Sequence, residues 1–137
     1  MKQVFADTLY WVASITRDDP WHAPTLRAVA ASGSVHLVTT EEVLVEFLSA
    51  YAGRGEYLRQ EALKTIRAIL GNEHVTVRPQ THQSFMTGVD FYANRVDKAY
   101  SLVDCISMYT MRQMDLTEVL TNDHHFTQEG FTILIKR

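Results

Sequence analysis

Short apolar runs alternate with amphipathic stretches along the whole chain. Val4-Phe5-Ala6 reads as a strand stopped by Asp7-Thr8, and Leu9 to Ile15 then reads as one or two helical turns ending near Asp18-Asp19-Pro20. Pro20 to Ala31 predicts a second helix closed by Ser32-Gly33-Ser34, with Pro20 and Pro24 in its first turns, where a missing amide hydrogen matters least. His36 to Thr39 is strand-like. Thr39 and Glu42 have the spacing of a capping box that opens a helix through Tyr51, stopped by Gly53-Arg54-Gly55. From Tyr57 to Leu70 the chain predicts an amphipathic helix with Leu58, Ala62, Ile66 and Ile69 or Leu70 inward, and Arg59, Lys64 and Arg67 outward. His74 to Arg78 alternates as a short strand. Helices follow at about Thr81 to Asn94 and Ser101 to Met114, then strands near Glu118 to Thr121 and Phe131 to Ile135.

Strands separated by helices over the full length predict a mainly parallel sheet, because parallel neighbours need crossovers of about a dozen residues. The expected architecture is a three-layer α/β/α sandwich, with ligands bound beyond the carboxyl ends of the strands. At 137 residues the chain has the size of one domain, so residues 1–137 are read as a single unit. Apolar residues form 46% and charged residues 21%, which excludes a disordered chain. Cys105 is the only cysteine, so no internal disulfide or cysteine-based zinc cluster can form, and a cytoplasmic location is expected. The opening Met1 to Asp7 breaks its apolar run too early for a signal peptide, and no run approaches the 18 or so apolar residues of a membrane helix.

The net charge of −3 argues against holding nucleic acid by bulk positive charge. If divalent metal bound four of the sixteen acids, twelve would remain against thirteen bases, and the field would change sign. Four acids are placed for this. Asp7 follows the first strand, Asp123 follows the strand near Val119, Glu46 lies in the helix after the second strand, and Asp104 lies in the first turn of a late helix. Each also has a plainer reading. Asp7 and Asp123 could cap the turns they precede, and Asp104 stands three residues after Ser101, as a capping-box partner would. Glu46 sits at the edge of the apolar stripe formed by Val43, Phe47 and Ala50, so its carboxylate needs a partner.

With parallel strands all four project toward one end of the sheet. Two carboxylates about 5 Å apart repel by roughly 3 kcal/mol at an effective dielectric near 20, so such a cluster calls for a cation. Oxygen ligands without thiolate point to Mg²⁺ or Mn²⁺ over zinc, and phosphodiester hydrolysis is the chemistry such an ion serves.

Phe5-Ala6-Asp7-Thr8, the helix Thr40 to Glu46, Asp97-Lys98-Ala99-Tyr100-Ser101-Leu102-Val103-Asp104-Cys105 and Thr121-Asn122-Asp123-His124-His125-Phe126 together resemble the PIN-domain ribonucleases, above all the VapC-like toxins of type II toxin-antitoxin modules. The resemblance spans almost the whole chain in the family's order. It implies an Mg²⁺- or Mn²⁺-dependent endoribonuclease, with Asp7, Glu46, Asp104 and Asp123 as catalytic and metal-binding acids and Asp7 and Asp104 as main ligands. Thr8, Ser101 and Thr121 would supply hydroxyls that orient carboxylates and water. Asp115 and Glu118 lie close by but do not match the family's positions. The resemblance further implies an RNA substrate, a small antitoxin over the acidic groove and a homodimer.

The remaining candidates have weaker patterns. Adjacent His124 and His125 have no third ligand at zinc spacing and are read as solvated loop residues. Cys105 and Trp11 are read as core, while Tyr10 and Trp21 could pack inward or line a groove. Arg54, Arg59, Lys64 and Arg67 form the densest basic region; Arg54, Arg59 and Lys98 are the candidate substrate contacts. Two alternatives stand beside the ribonuclease: a non-catalytic PIN-like scaffold, indifferent to Mg²⁺, and a structure-specific DNA nuclease. A receiver-like module would need paired acids after the first strand, where Thr8-Leu9 stands.

Overall fold

The computed structural model describes residues 1–137. Val4, Phe5 and Ala6 are fully buried and anchor β1 (Lys2–Ala6) at the centre of a five-stranded, all-parallel sheet with strand order β3-β2-β1-β4-β5. The other strands are β2 (Val35–Thr40), β3 (Val75–Arg78), β4 (Glu118–Leu120) and β5 (Thr132–Ile133). Two helices, α1 (Thr8–Ile15) and α2 (His22–Ser32), join β1 to β2. Next, α3 (Glu41–Ala50) and α4 (Glu56–Leu70) join β2 to β3, and α5 (His82–Ala93) and α6 (Leu102–Gln113) join β3 to β4. A single turn, α7 (His125–Gln128), separates β4 from β5. The expected parallel α/β sandwich is present.

The two faces of the sheet are filled unequally. Alternate strand residues point to opposite sides, so Phe5 and Val119 join a core of 20 buried residues, whereas Val4 and Leu120 join a small cluster with Ala28 of α2 and Ile135. The large core contains Trp11, Phe47, Tyr51 and Cys105. Tyr10 and Trp21 are half-buried, and the Arg137 guanidinium lies 4.7 Å from the Trp21 ring centroid. Within α4, Ala62 and Ile69 turn inward and Leu70 is exposed. Gly88 of α5 packs closely on α6: a Cβ there would lie 2.4 Å from Ile106 Cγ1, which only glycine avoids.

Several boundaries differ from the sequence pattern. Pro20 stays outside α2, which starts at His22, with Pro24 alone in its first turn. The cap of α3 is Thr40, whose hydroxyl accepts from the Val43 N–H at 3.1 Å, and the Thr39 hydroxyl instead donates to Ala6 O at 2.9 Å, tying β2 to β1. Thr39, in register with Val77 of β3, is thus spent on the sheet, and capping passes to Thr40, the last residue of the strand. Asp115 is the left-handed residue (φ 55°) that ends α6, with Asp115 N–H bonded to Arg112 O and Leu116 N–H to Met111 O in a Schellman arrangement. Glu118 pairs with Lys2 at 3.0 Å. Asp115 thus serves as the helix stop and Glu118 as an ion-pair partner at the start of β4.

Candidate active site

The carboxyl ends of β1 and β4 open into a cleft of about 650 Å³ lined by eleven residues, Leu9 alone being hydrophobic. Asp7, Glu46, Asp104 and Asp123 all line it, with Thr8, Thr121, Asn122, His124, His125 and Gln128. No lysine or arginine does. Four segments far apart in sequence are thus brought together by parallel strand order: β1 delivers Asp7, β4 delivers Thr121 to Asp123, α3 brings Glu46 and α6 brings Asp104.

Asp7 is 6% exposed and occupies the N-cap position of α1 without a capping hydrogen bond from its side chain. Its carboxylate instead accepts from the Thr121 hydroxyl at 3.0 Å. Burial raises its pKa to about 7, with the charges of Asp104 and Glu46 adding to the rise and the Thr8 N–H and Thr121 hydroxyl opposing it. A buried carboxyl among like charges is held ready for a cation. Glu46 finds its partner in the Thr8 hydroxyl, which donates to Oε1.

Asp104 carries both readings at once. Its Oδ2 accepts the Ser101 N–H at 3.0 Å while Ser101 Oγ accepts the Asp104 N–H at 3.0 Å, a complete capping box at the start of α6. That box fixes the carboxylate at the cleft. Burial, then the charge of Asp123, raises the Asp104 pKa, against the Ser101 N–H and His125. Asp123 likewise accepts the His125 N–H at 2.9 Å, and its own N–H donates to Thr121 Oγ1 at 3.2 Å. Ser101 acts from behind Asp104 and does not line the cleft.

His125 was not legible as a site residue. The dipeptide pattern predicts solvated histidines, and His124 is indeed exposed, but α7 turns the His125 ring inward. Its Nδ1 lies 3.3 Å from Asp123 Oδ1 and 3.4 Å from Asp104 Oδ2, and the donor atoms of Asp104, Asp123 and His125 fall within 4.8 Å of one another. The carboxylate that joins Asp123 and His125 here comes from α6, 21 residues upstream, beyond the reach of a local spacing rule. Only the His-Phe spacing hinted at it, since fully buried Phe126 fixes α7 against the core.

The three candidate substrate cations lie elsewhere. Arg54 stacks 5.5 Å from the Tyr51 ring centroid, Arg59 donates to Ala52 O at 2.8 Å, and Lys98 pairs with Asp97 at 3.5 Å beside a separate pocket containing Tyr92 and Arg95. None borders the acidic cleft.

The PIN domain family model matches residues 4–131. The chain belongs to the PIN-domain family. Among solved structures, this PIN domain is similar to the crystal structure of VapC20 of Mycobacterium tuberculosis, described as a sarcin-ricin loop cleaving toxin. The TM-score is 0.82 at 24% identity, covering 94% of this chain and 96% of that chain. No curated protein sequence matches it. No helix of this PIN domain is long and apolar enough to cross a membrane.

The donor set fits a hard divalent cation. Its members are four carboxylates without thiolate, and the one free cysteine, Cys105, is buried in the core instead.

Proposed function

We propose that this protein is a metal-dependent endoribonuclease, the toxin of a toxin-antitoxin pair, and that residues 1–137 act as one catalytic unit in the cytoplasm. The observation that carries this reading is the cleft itself, where buried Asp7 faces the charges of Asp104 and Glu46 with no lysine or arginine among the lining residues. Membership of the PIN-domain family and the fold shared with a toxin that cleaves the sarcin-ricin loop support it.

Asp7, Glu46, Asp104 and Asp123 would hold one or two Mg²⁺ or Mn²⁺ ions. Such an ion, when bound, offsets the carboxylate charge, polarises a phosphate oxygen and acidifies water. The chain's own part is positional. Thr121 holds Asp7 and receives the Asp123 N–H, Thr8 aligns Glu46, and the Ser101 box sets Asp104. No serine, cysteine or lysine lines the cleft and the Thr8 and Thr121 hydroxyls are engaged with Glu46 and Asp7, which supports water as the attacking group. The antitoxin would cover this groove, and the toxin would be a homodimer.

The test is end-labelled single-stranded and stem-loop RNA, with DNA of the same sequences, incubated with Mg²⁺ or Mn²⁺ and with EDTA. RNA cleavage that needs the cation and is lost in Asp104→Asn supports the reading. Cutting that survives EDTA or the substitution refutes it, and preferential DNA cutting transfers the activity to deoxyribonucleic acid.

A further inference from the structure

We propose that His125 donates a ring nitrogen to the cation held by Asp104 and Asp123, and thereby biases the site toward transition-metal dications, Mn²⁺ among them, over Mg²⁺. This rests on the reading that the cleft holds a divalent cation, and it replaces the oxygen-only donor set of the sequence pattern with a mixed one.

The spacing carries the argument. An N–H···O hydrogen bond centres near about 2.9–3.0 Å, so Nδ1, at 3.3 Å from Asp123 Oδ1 and 3.4 Å from Asp104 Oδ2, stands farther from both oxygens than a well-made hydrogen bond would hold it. Two donors each about 2.1 Å from one ion lie about 3.0 Å apart at a right angle and about 3.4 Å apart at the tetrahedral angle. Both observed separations are therefore those of neighbouring ligands around a shared centre. All three donor atoms fall within 4.8 Å of one another, a bound little wider than the roughly 4.2 Å between two donors on opposite sides of such an ion.

The ring is also held in place. Its backbone N–H is bonded to Asp123 Oδ1 at 2.9 Å, and Tyr100 packs on it with ring centroids 5.3 Å apart. The side chain is 31% exposed, open enough for an ion to enter beside it. Mg²⁺ keeps its waters and takes oxygen ligands, whereas imidazole nitrogen suits transition metals, so one nitrogen donor shifts the preference.

The experiment uses the full-length, tag-free protein and its His125→Ala and His125→Gln forms, with Mn²⁺ as the probe. Electron spin echo modulation of bound Mn²⁺ should show coupled ¹⁴N in the parent and lose it in both variants. Titration of Mn²⁺ by its free-ion resonance, with Mg²⁺ as competitor, should show the parent preferring Mn²⁺ and that preference falling about tenfold or more in the variants. Circular dichroism checks folding, and the parent spectrum alone can overturn the idea. Mn²⁺ bound without ¹⁴N coupling, coupling that persists in both variants, or an unchanged preference overturns the role of His125 while leaving the nuclease reading intact. Failure of the parent to bind either metal overturns both.

Discussion

The Thr121 hydroxyl donates to Asp7 Oδ2 at 3.0 Å across 114 positions of sequence, joining the carboxyl end of β4 to that of β1. The same oxygen accepts the Asp123 N–H at 3.2 Å. One fully buried threonine thus orients two of the four acids. Thr121→Val keeps the shape and removes both bonds. Cleavage should fall about 10- to 100-fold in kcat/KM, with about 1–3 kcal/mol lost in urea denaturation from the unpaired groups.

Asp104 combines a cap with a charge, and two substitutions separate them. Asp104→Asn keeps an oxygen that can accept the Ser101 N–H, so it should abolish RNA cleavage with Tm little changed. Ser101→Ala removes the other half of the box and should cost about 1 kcal/mol while leaving measurable activity. Equal activity of the two variants would contradict this division.

Asp7 makes the metal-free protein pH-sensitive. Its folded pKa, about 7, lies above the ordinary 3.8, so its contribution to stability is fully present below about pH 4 and is lost as pH rises to about 7. In EDTA, Asp7→Asn should be more stable than the parent by about 2–4 kcal/mol at pH 8, with the difference vanishing toward pH 4. Added Mn²⁺ should stabilise the parent more than the variant. Urea midpoints at the two pH values provide the check.

Glu129 is a second carboxylate centre, and it does not line the cleft. Arg95 binds it through two nitrogens at 2.9 and 3.0 Å, Arg112 at 2.8 Å and the Tyr100 hydroxyl at 2.8 Å, with the Glu129 side chain 7% exposed. The hydrogen bond from Arg95 leads in lowering its pKa to about 2, and that of Tyr100 moves upward, by burial first and then by its bond to Glu129. Because the folded pKa is depressed from 4.5, the stability it supplies is present above about pH 4.5 and lost as pH falls toward 2. Glu129→Gln should cost about 3 kcal/mol at pH 7 and flatten the acid limb of the stability curve. Thermal melts from pH 2 to 7 measure both.

Gly88→Ala should destabilise by about 1–3 kcal/mol, because its methyl group would meet Ile106 Cγ1. The double variant with Ile106→Ala, which removes Cγ1, should be less destabilised in the same denaturation than the sum of the two single variants.

Local periodicity carried much of this molecule in the sequence. A short apolar run marked β1, alternation marked β3, the 3.6-residue period marked α4, and acids placed directly after strands pointed to one end of a parallel sheet, because these patterns depend on neighbours in the chain. The single turn α7 was too short for the helical period to register, and the strand expected over Phe131 to Ile135 is present as the two-residue β5. Thr39 and Thr40 differ only in which one faces β1, a choice made by strand register. Tertiary structure alone brought His125 between Asp104 and Asp123, supplied Glu129 with two arginines and moved Arg54, Arg59 and Lys98 away from the cleft. Those outcomes depend on distances between segments 17 or more residues apart, set by how helices pack over a twisted sheet, and no local rule encodes them.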